Sequence, residues 1–159
     1  HRFRECSARA YRARGGCHTT SQADWSWLWV RKGVPVEAIV SEHAPAAIGP
    51  YSQGIVTENL LFTSGQLPID PRSGEMPQGI AAQAEQSCIN VGNLLDEAGS
   101  GYERVVKTTC YLADMNDFPQ FNEVYARYFT SNPARSCVAV KELPTGALCE
   151  IECIAVRDA

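Results

Sequence analysis

The sequence contains no Cys-x-x-Cys pair, and its three histidines, His1, His18 and His43, lie far from any two cysteines at ligand spacing. That removes the usual sequence grounds for a zinc site. No apolar run approaches the roughly 18 residues that a membrane-crossing helix requires, which predicts a water-soluble protein. Internal repeats and low-complexity stretches are missing too. Charged residues are sparse, at 20%, while hydrophobic residues fill 45% of the 159 positions. A disordered chain is therefore excluded, and a single domain with a closed core is expected.

What is present divides into two stretches. Residues 1–33 hold seven Lys and Arg side chains against Glu5 and Asp24, a balance of +5, whereas residues 34–159 hold seven basic and sixteen acidic side chains, a balance of −9. The N-terminal stretch is rich in Arg, Gly and Ser, lacks a sustained period and carries all three tryptophans, Trp25, Trp27 and Trp29. It reads as a basic N-terminal extension without a fold of its own, a transit peptide being the alternative. The seven cysteines (Cys6, Cys17, Cys88, Cys110, Cys137, Cys149 and Cys153) are odd in number and scattered. Such cysteines fit a reducing compartment and behave as small apolar core residues, which predicts a cytoplasmic protein, or an organellar one if residues 1–33 are a transit peptide.

From Val34 the patterning becomes regular. Val36–Val40 is a short strand candidate, and Ile55-Val56 with Leu60–Ser64 flank Glu58-Asn59 as a hairpin. Ile80, Ala84, Cys88, Val91, Leu94, Leu95 and Ala98 recur at helical spacing, and Gly99 closes that run. Val105–Leu112 has the β-branched density of a strand. Asp117 is placed to cap a second helix bearing Phe118, Phe121, Tyr125, Tyr128 and Phe129. Arg135–Lys141 and Leu148–Arg157 read as two final strands around Leu143-Pro144-Thr145-Gly146. The order ββ-α-β-α-ββ predicts an α+β domain, with a mixed sheet and two helices packed on one face.

Strand parity exposes a second feature, because successive side chains alternate between sheet faces. In the last strand Cys149, Ile151, Cys153 and Ala155 share an apolar face, and Glu150 and Glu152 share the other. In the strand before it Val138 and Val140 are expected under the helices, with Arg135 and Cys137 on the opposite side. Arg135, Cys137, Glu150 and Glu152 are thus expected to gather on one sheet face. Apolar residues among these charges predict that another subunit covers the face, which would make a pocket for a small anion.

Four segments then become recognisable: Ala44–Gly54, Thr63-Ser64-Gly65-Gln66, Pro133-Ala134-Arg135-Ser136-Cys137-Val138 and Glu150–Ala155. Together they strongly resemble the RidA (YjgF/YER057c/UK114) family of enamine/imine deaminases, from about Val36 to Arg157. The resemblance implies a chorismate-mutase-like fold, a homotrimer and clefts between adjacent subunits. It also implies hydrolysis of 2-aminoacrylate and 2-aminocrotonate, through their imines, to 2-oxoacids and ammonia, without metal or cofactor. Carried over by position, Arg135 would hold the substrate carboxylate, Glu150 would order or activate water, and Tyr51 would join them as a catalytic residue. Ser64, Gly65, Asn122 and Cys137 would complete the substrate pocket, and Glu152 would belong to the interface. The link Phe129–Pro133 is a few residues shorter than the usual family connection, which bears on substrate width.

The residue types suit that chemistry. A guanidinium holds a carboxylate through two parallel hydrogen bonds, and imine hydrolysis needs a water and a group to take its proton. Two other functions compete: an endoribonuclease or translation-inhibitor role on RNA, and a trimer that captures small ligands without turning them over. Phosphate binding needs clustered positive charge, which the acidic body lacks, so nucleic acid is not the expected partner.

Overall fold

The computed structural model describes residues 35–158, and the extension at residues 1–33, with its tryptophans, lies outside them. Six strands form one mixed sheet: β1 (Val36–Ile39), β2 (Gly54–Thr57), β3 (Leu60–Thr63), β4 (Val105–Leu112), β5 (Ala134–Ala139) and β6 (Cys149–Val156). Their spatial order is β1-β2-β3-β6-β4-β5. Every neighbouring pair is antiparallel except β4 and β5, which run parallel. The chain order is therefore βββ-α-β-α-ββ, with the short Val36–Ile39 segment added as an edge strand.

Two helices, α1 (Ile80–Glu97) and α2 (Phe118–Tyr128), pack against one another, and α1 lies along β6. Leu61, Leu94, Leu95, Leu112, Phe121 and Ile151 are fully enclosed between them and the sheet. Each such side chain contributes about 1.5–3 kcal/mol of burial free energy. Cys88, Cys110, Cys149 and Cys153 are also buried there as free thiols, filling space as small apolar residues do.

The helix ends follow from their residues, once as expected and once not. At the end of α1, Gly99 adopts φ 70° and donates its N–H to the Asp96 carbonyl, while the Ser100 N–H reaches the Leu95 carbonyl. This pair of bonds is the Schellman arrangement, which needs a residue that tolerates left-handed backbone. Asp117, by contrast, makes no side-chain cap for α2. Asp114 caps the chain a turn earlier instead, accepting the Asn116 N–H at 2.8 Å and starting a short tight turn that runs into the helix.

The strand parity expected for β5 is reversed. Cys110, buried against the helices, pairs in register with Cys137, and Thr108 pairs with Arg135. Arg135 and Cys137 therefore lie on the helix side of the sheet. Val138 faces the other way beside Tyr111, 47% exposed, on the open face with Glu150 and Glu152. An apolar residue normally marks the covered face, but β5 is an edge strand, and only Cys137 in its helix-facing row is even half-buried.

Candidate active site

The predicted site residues form two clusters on opposite faces of the sheet. The first lies where β5 meets α2. Asn122 is half-buried in α2, and its Oδ1 accepts from Arg135 Nη1 at 2.8 Å. The guanidinium carbon sits 4.6 Å from the centre of the Tyr125 ring and 5.6 Å from that of Phe118. The Tyr125 hydroxyl in turn shares a 2.7 Å hydrogen bond with Thr108, which is fully buried. Burial pushes the Tyr125 phenol up to about 12, so the ring stays neutral beneath the cation. Among the described residues Arg135 has no carboxylate partner. Its charge sits over an aromatic ring and is left available to an anion. Cys137, on the same side of β5, has its thiol drawn below the usual range by a hydrogen bond from Cys110 and by the Arg135 charge, against the opposing effect of burial.

The second cluster lies on the open face of β6. Glu150 is half-buried, and burial, with a smaller contribution from the Glu152 charge, holds its carboxyl above the usual carboxylate range. Glu152 accepts from the Tyr111 hydroxyl at 3.4 Å. Gly65 lies directly against Glu150: a Cβ at that position would overlap the carboxylate. Only glycine leaves room for it. Ser64 donates its hydroxyl proton to the Ser52 carbonyl at 2.6 Å and its N–H to the Gln53 carbonyl at 2.9 Å. The loop carrying Tyr51 is thereby tied to the end of β3. Tyr51 itself is 51% exposed, and its hydroxyl accepts weakly from the Ile48 N–H at 3.4 Å.

One chain therefore brings together Arg135, Asn122 and Cys137, and separately Glu150, Gly65 and Ser64. It does not bring Arg135 to Glu150. Cross-strand register places Glu150 opposite Tyr111 and Arg135 opposite Thr108, whose side chains leave β4 on opposite faces.

The comparisons with known proteins bear on what these clusters are. The endoribonuclease L-PSP family matches residues 41–157, a span that holds all four segments of the resemblance. The chain belongs to this family, known also as RidA/YjgF. It is 48% identical over 125 residues to the 2-iminobutanoate/2-iminopropanoate deaminase of Escherichia coli, covering 76% of this chain and 98% of that one. A RutC family protein of Pyrococcus horikoshii is 50% identical over 124 residues, covering 77% and 98%. Among solved structures, E. coli TdcF with bound serine shares 42% identity at a TM-score of 0.74, covering 77% of this chain and 99% of that one. The yeast protein YEO7 shares 45% at 0.75, covering 78% and all of its own chain.

For a RidA/YjgF domain, residue-type reasoning missed two supporting side chains. Tyr125 follows Asn122 by three positions, about one helical turn, and so shares its face. That spacing was a usable signal for the platform under Arg135. Gln53 had none. It is 4% exposed, accepts the Ser41 N–H, and donates to the carbonyls of Ser41, Ala44 and Pro45, which pins the 41–53 loop.

The contact between Gly65 and Glu150 makes a first testable statement. Gly65→Ala is expected to displace the Glu150 carboxylate and lower kcat by about 100-fold, the effect of misplacing a reacting group by roughly 1 Å. Affinity for a 2-oxoacid should change much less. Parallel turnover and calorimetric titration measurements check it; an unchanged kcat would place Glu150 outside the reaction.

Proposed function

We propose that this chain is an imine deaminase that hydrolyses 2-iminopropanoate and 2-iminobutanoate to 2-oxoacids and ammonia. The observation that carries the reading is Arg135. It is a guanidinium stacked on a neutral ring, steadied by Asn122, and without a carboxylate partner among the described residues. The naming of the E. coli relative as a 2-iminobutanoate/2-iminopropanoate deaminase supports the substrate class.

In this mechanism Arg135 binds the substrate carboxylate through its fork and presents the C=N carbon. Glu150 takes a proton from water as the oxygen adds to that carbon. Glu150 passes that proton to the nitrogen, giving the carbinolamine; it then takes the hydroxyl proton and hands it to the amine as the C–N bond breaks, so that ammonia leaves and the C=O of the oxoacid remains. A carboxyl poised above the usual carboxylate range is suited to both halves of that transfer. Tyr51, Ser64, Gly65 and Cys137 line the cleft, Cys137 as a packing thiol. Nothing in the chemistry calls for a metal or cofactor.

Because Arg135 and Glu150 leave opposite faces of the sheet, this mechanism requires two copies. The β5 edge of one copy lies over the open face of the next. Repeating that head-to-tail contact closes a ring, for which we propose a homotrimer of chorismate-mutase-like subunits with one site per junction. The open face is suited to burial: Val36, Phe62 and Val138 are exposed on it, Val138 beside the Tyr111 that pairs with Glu150. The compartment proposed for it is the cytoplasm; no helix among the described residues is long and apolar enough to cross a membrane.

Light scattering of the full chain is expected to give a trimer mass at micromolar concentration. A stable monomer would overturn the shared site. The activity itself is tested by oxoacid release from enamine generated by a serine/threonine dehydratase. Release must exceed the uncatalysed decay of the enamine.

A further inference from the structure

The segment Thr63–Gln66 stands out in the sequence, and the mechanism above uses only its two middle residues. Its backbone is irregular. The β3–β6 ladder is regular as far as Phe62 opposite Ile154, and pairing resumes at Gln66 opposite Ile151. Three residues, Thr63, Ser64 and Gly65, thus face two, Glu152 and Cys153. This is a β-bulge, a device that re-aims backbone groups. The Thr63 hydroxyl fills the gap in the ladder, accepting the Cys153 N–H at 2.9 Å and donating to the Cys153 carbonyl at 3.4 Å.

Accounting for the N–H groups of the bulge leaves one over. The Ser64 N–H goes to the Gln53 carbonyl and the Gln66 N–H to the Ile151 carbonyl. The Gly65 N–H has no hydrogen-bond partner among the described residues, although it adjoins the half-buried Glu150. Its direction is set by its own peptide unit. Gln66, 4% exposed, donates through Nε2 to the Ser64 carbonyl at 3.1 Å. In a trans peptide the C=O and the following N–H point in opposite directions. With the carbonyl drawn toward the buried Gln66 amide, the Gly65 N–H is turned away from the core.

We propose that Gln66 is a positioning residue, whose buried amide holds the Ser64–Gly65 peptide so that the Gly65 N–H donates to the bound substrate beside Glu150. This deepens the deaminase reading and rests on it. A second observation accompanies it: among the described residues Gln66 Oε1 is buried without a hydrogen-bond partner. The one hydrogen bond of the side chain there is the one to the Ser64 carbonyl, and an unpaired buried acceptor calls for an explanation beyond filling space. The reverse amide orientation would set Oε1 against the Ser64 carbonyl, two acceptors face to face.

The test uses Gln66→Met, which keeps the length of the side chain and removes its one donor, in the full chain with 2-oxobutanoate as probe. In the unsubstituted protein the probe is expected to shift the Gly65 amide resonance in a proton–nitrogen correlation spectrum. In Gln66→Met that shift should vanish, the Kd for 2-oxobutanoate and the KM for imine should each rise about tenfold, and kcat should stay within about threefold. Intact Gly65 shift and Kd in the folded variant would overturn the proposal, as would a fall in melting temperature without a change in KM. Should Gln66→Met not fold, Gln66→Glu keeps both length and polarity. Its carboxyl donates to the Ser64 carbonyl only when protonated. Its Kd, relative to that of the unsubstituted protein, should therefore weaken about tenfold as pH rises through the titration of that carboxyl; a flat ratio would overturn the proposal. A Gly65 shift without imine turnover would remove the deaminase reading and leave Gln66 its role in binding. Turnover without the shift would do the reverse.

Discussion

Arg135→Ala is expected to lower kcat/KM for imine hydrolysis by about 10³-fold or more while leaving the domain folded. Removing a charge-assisted hydrogen bond costs about 1.5–3 kcal/mol, and a substrate no longer held in line with the attacking water loses further rate. The fold should be indifferent because the side chain is exposed and, among the described residues, bonded only to Asn122 and placed over the rings of Tyr125 and Phe118. Contacts of that kind at an exposed position are worth about 0.5–1 kcal/mol. Arg135→Lys should recover only a fraction of the rate, since an ammonium keeps the charge and loses the fork. The dehydratase-coupled oxoacid assay and a thermal melt settle both points. Wild-type rates in Arg135→Ala would end the assignment and direct attention to the Phe129–Pro133 link for another anchor.

The second large effect is expected at Glu150 and has the opposite profile. Glu150→Gln should reduce kcat by about 10²–10⁴-fold, the usual worth of a positioned acid–base group, with the Kd for 2-oxobutanoate within about threefold. The wild-type acid limb should lie above the pH of an ordinary carboxylate, because burial and then Glu152 raise the Glu150 carboxyl. The same shift has a consequence for stability. Between the unfolded and the raised native value the folded state binds more proton than the unfolded one, so stability falls as pH rises through that window. Above it the ionised carboxylate is a standing penalty, which glutamine removes. Glu150→Gln should therefore melt higher than wild type at neutral pH while turning over far more slowly. A variant that is both slower and less stable would argue that Glu150 is structural.

Legibility in the sequence tracked how many constraints acted on a residue at once. In β6, strict alternation coincided with full coverage by the helices, and Cys149, Ile151, Cys153 and Ala155 are buried as their spacing predicts. In α1, periodicity and Gly99 agreed on where the helix ends. β5 failed for a physical reason. Its pairing partner β4 dictates its register, and an edge strand overhanging the helices leaves hydrophobicity a poor guide to the covered face. Val138 and Arg135 exchanged sides as a result, and the expected single cluster became two. Asp117 lost its capping role to Asp114 because a tight turn precedes α2, and residue preference alone does not place such a turn. Of the candidate site, the side chains proposed to react are the ones the motifs named. The glutamines and Thr63, whose work is to hold backbone in place, have no spacing that distinguishes them from ordinary polar residues.

The separation of Arg135 and Glu150 onto opposite faces also governs how damage is shared among copies. In the proposed ring, each junction takes its arginine from one subunit and its glutamate from the next. A subunit lacking only Arg135 silences one junction, and a subunit lacking only Glu150 silences one other. A cell expressing a sound copy and a copy with one such defect would retain at least one site in every mixed ring. A copy defective at both positions removes two of three junctions wherever it is incorporated. Single lesions here are thus recessive by geometry, whereas the double lesion acts as a poison subunit.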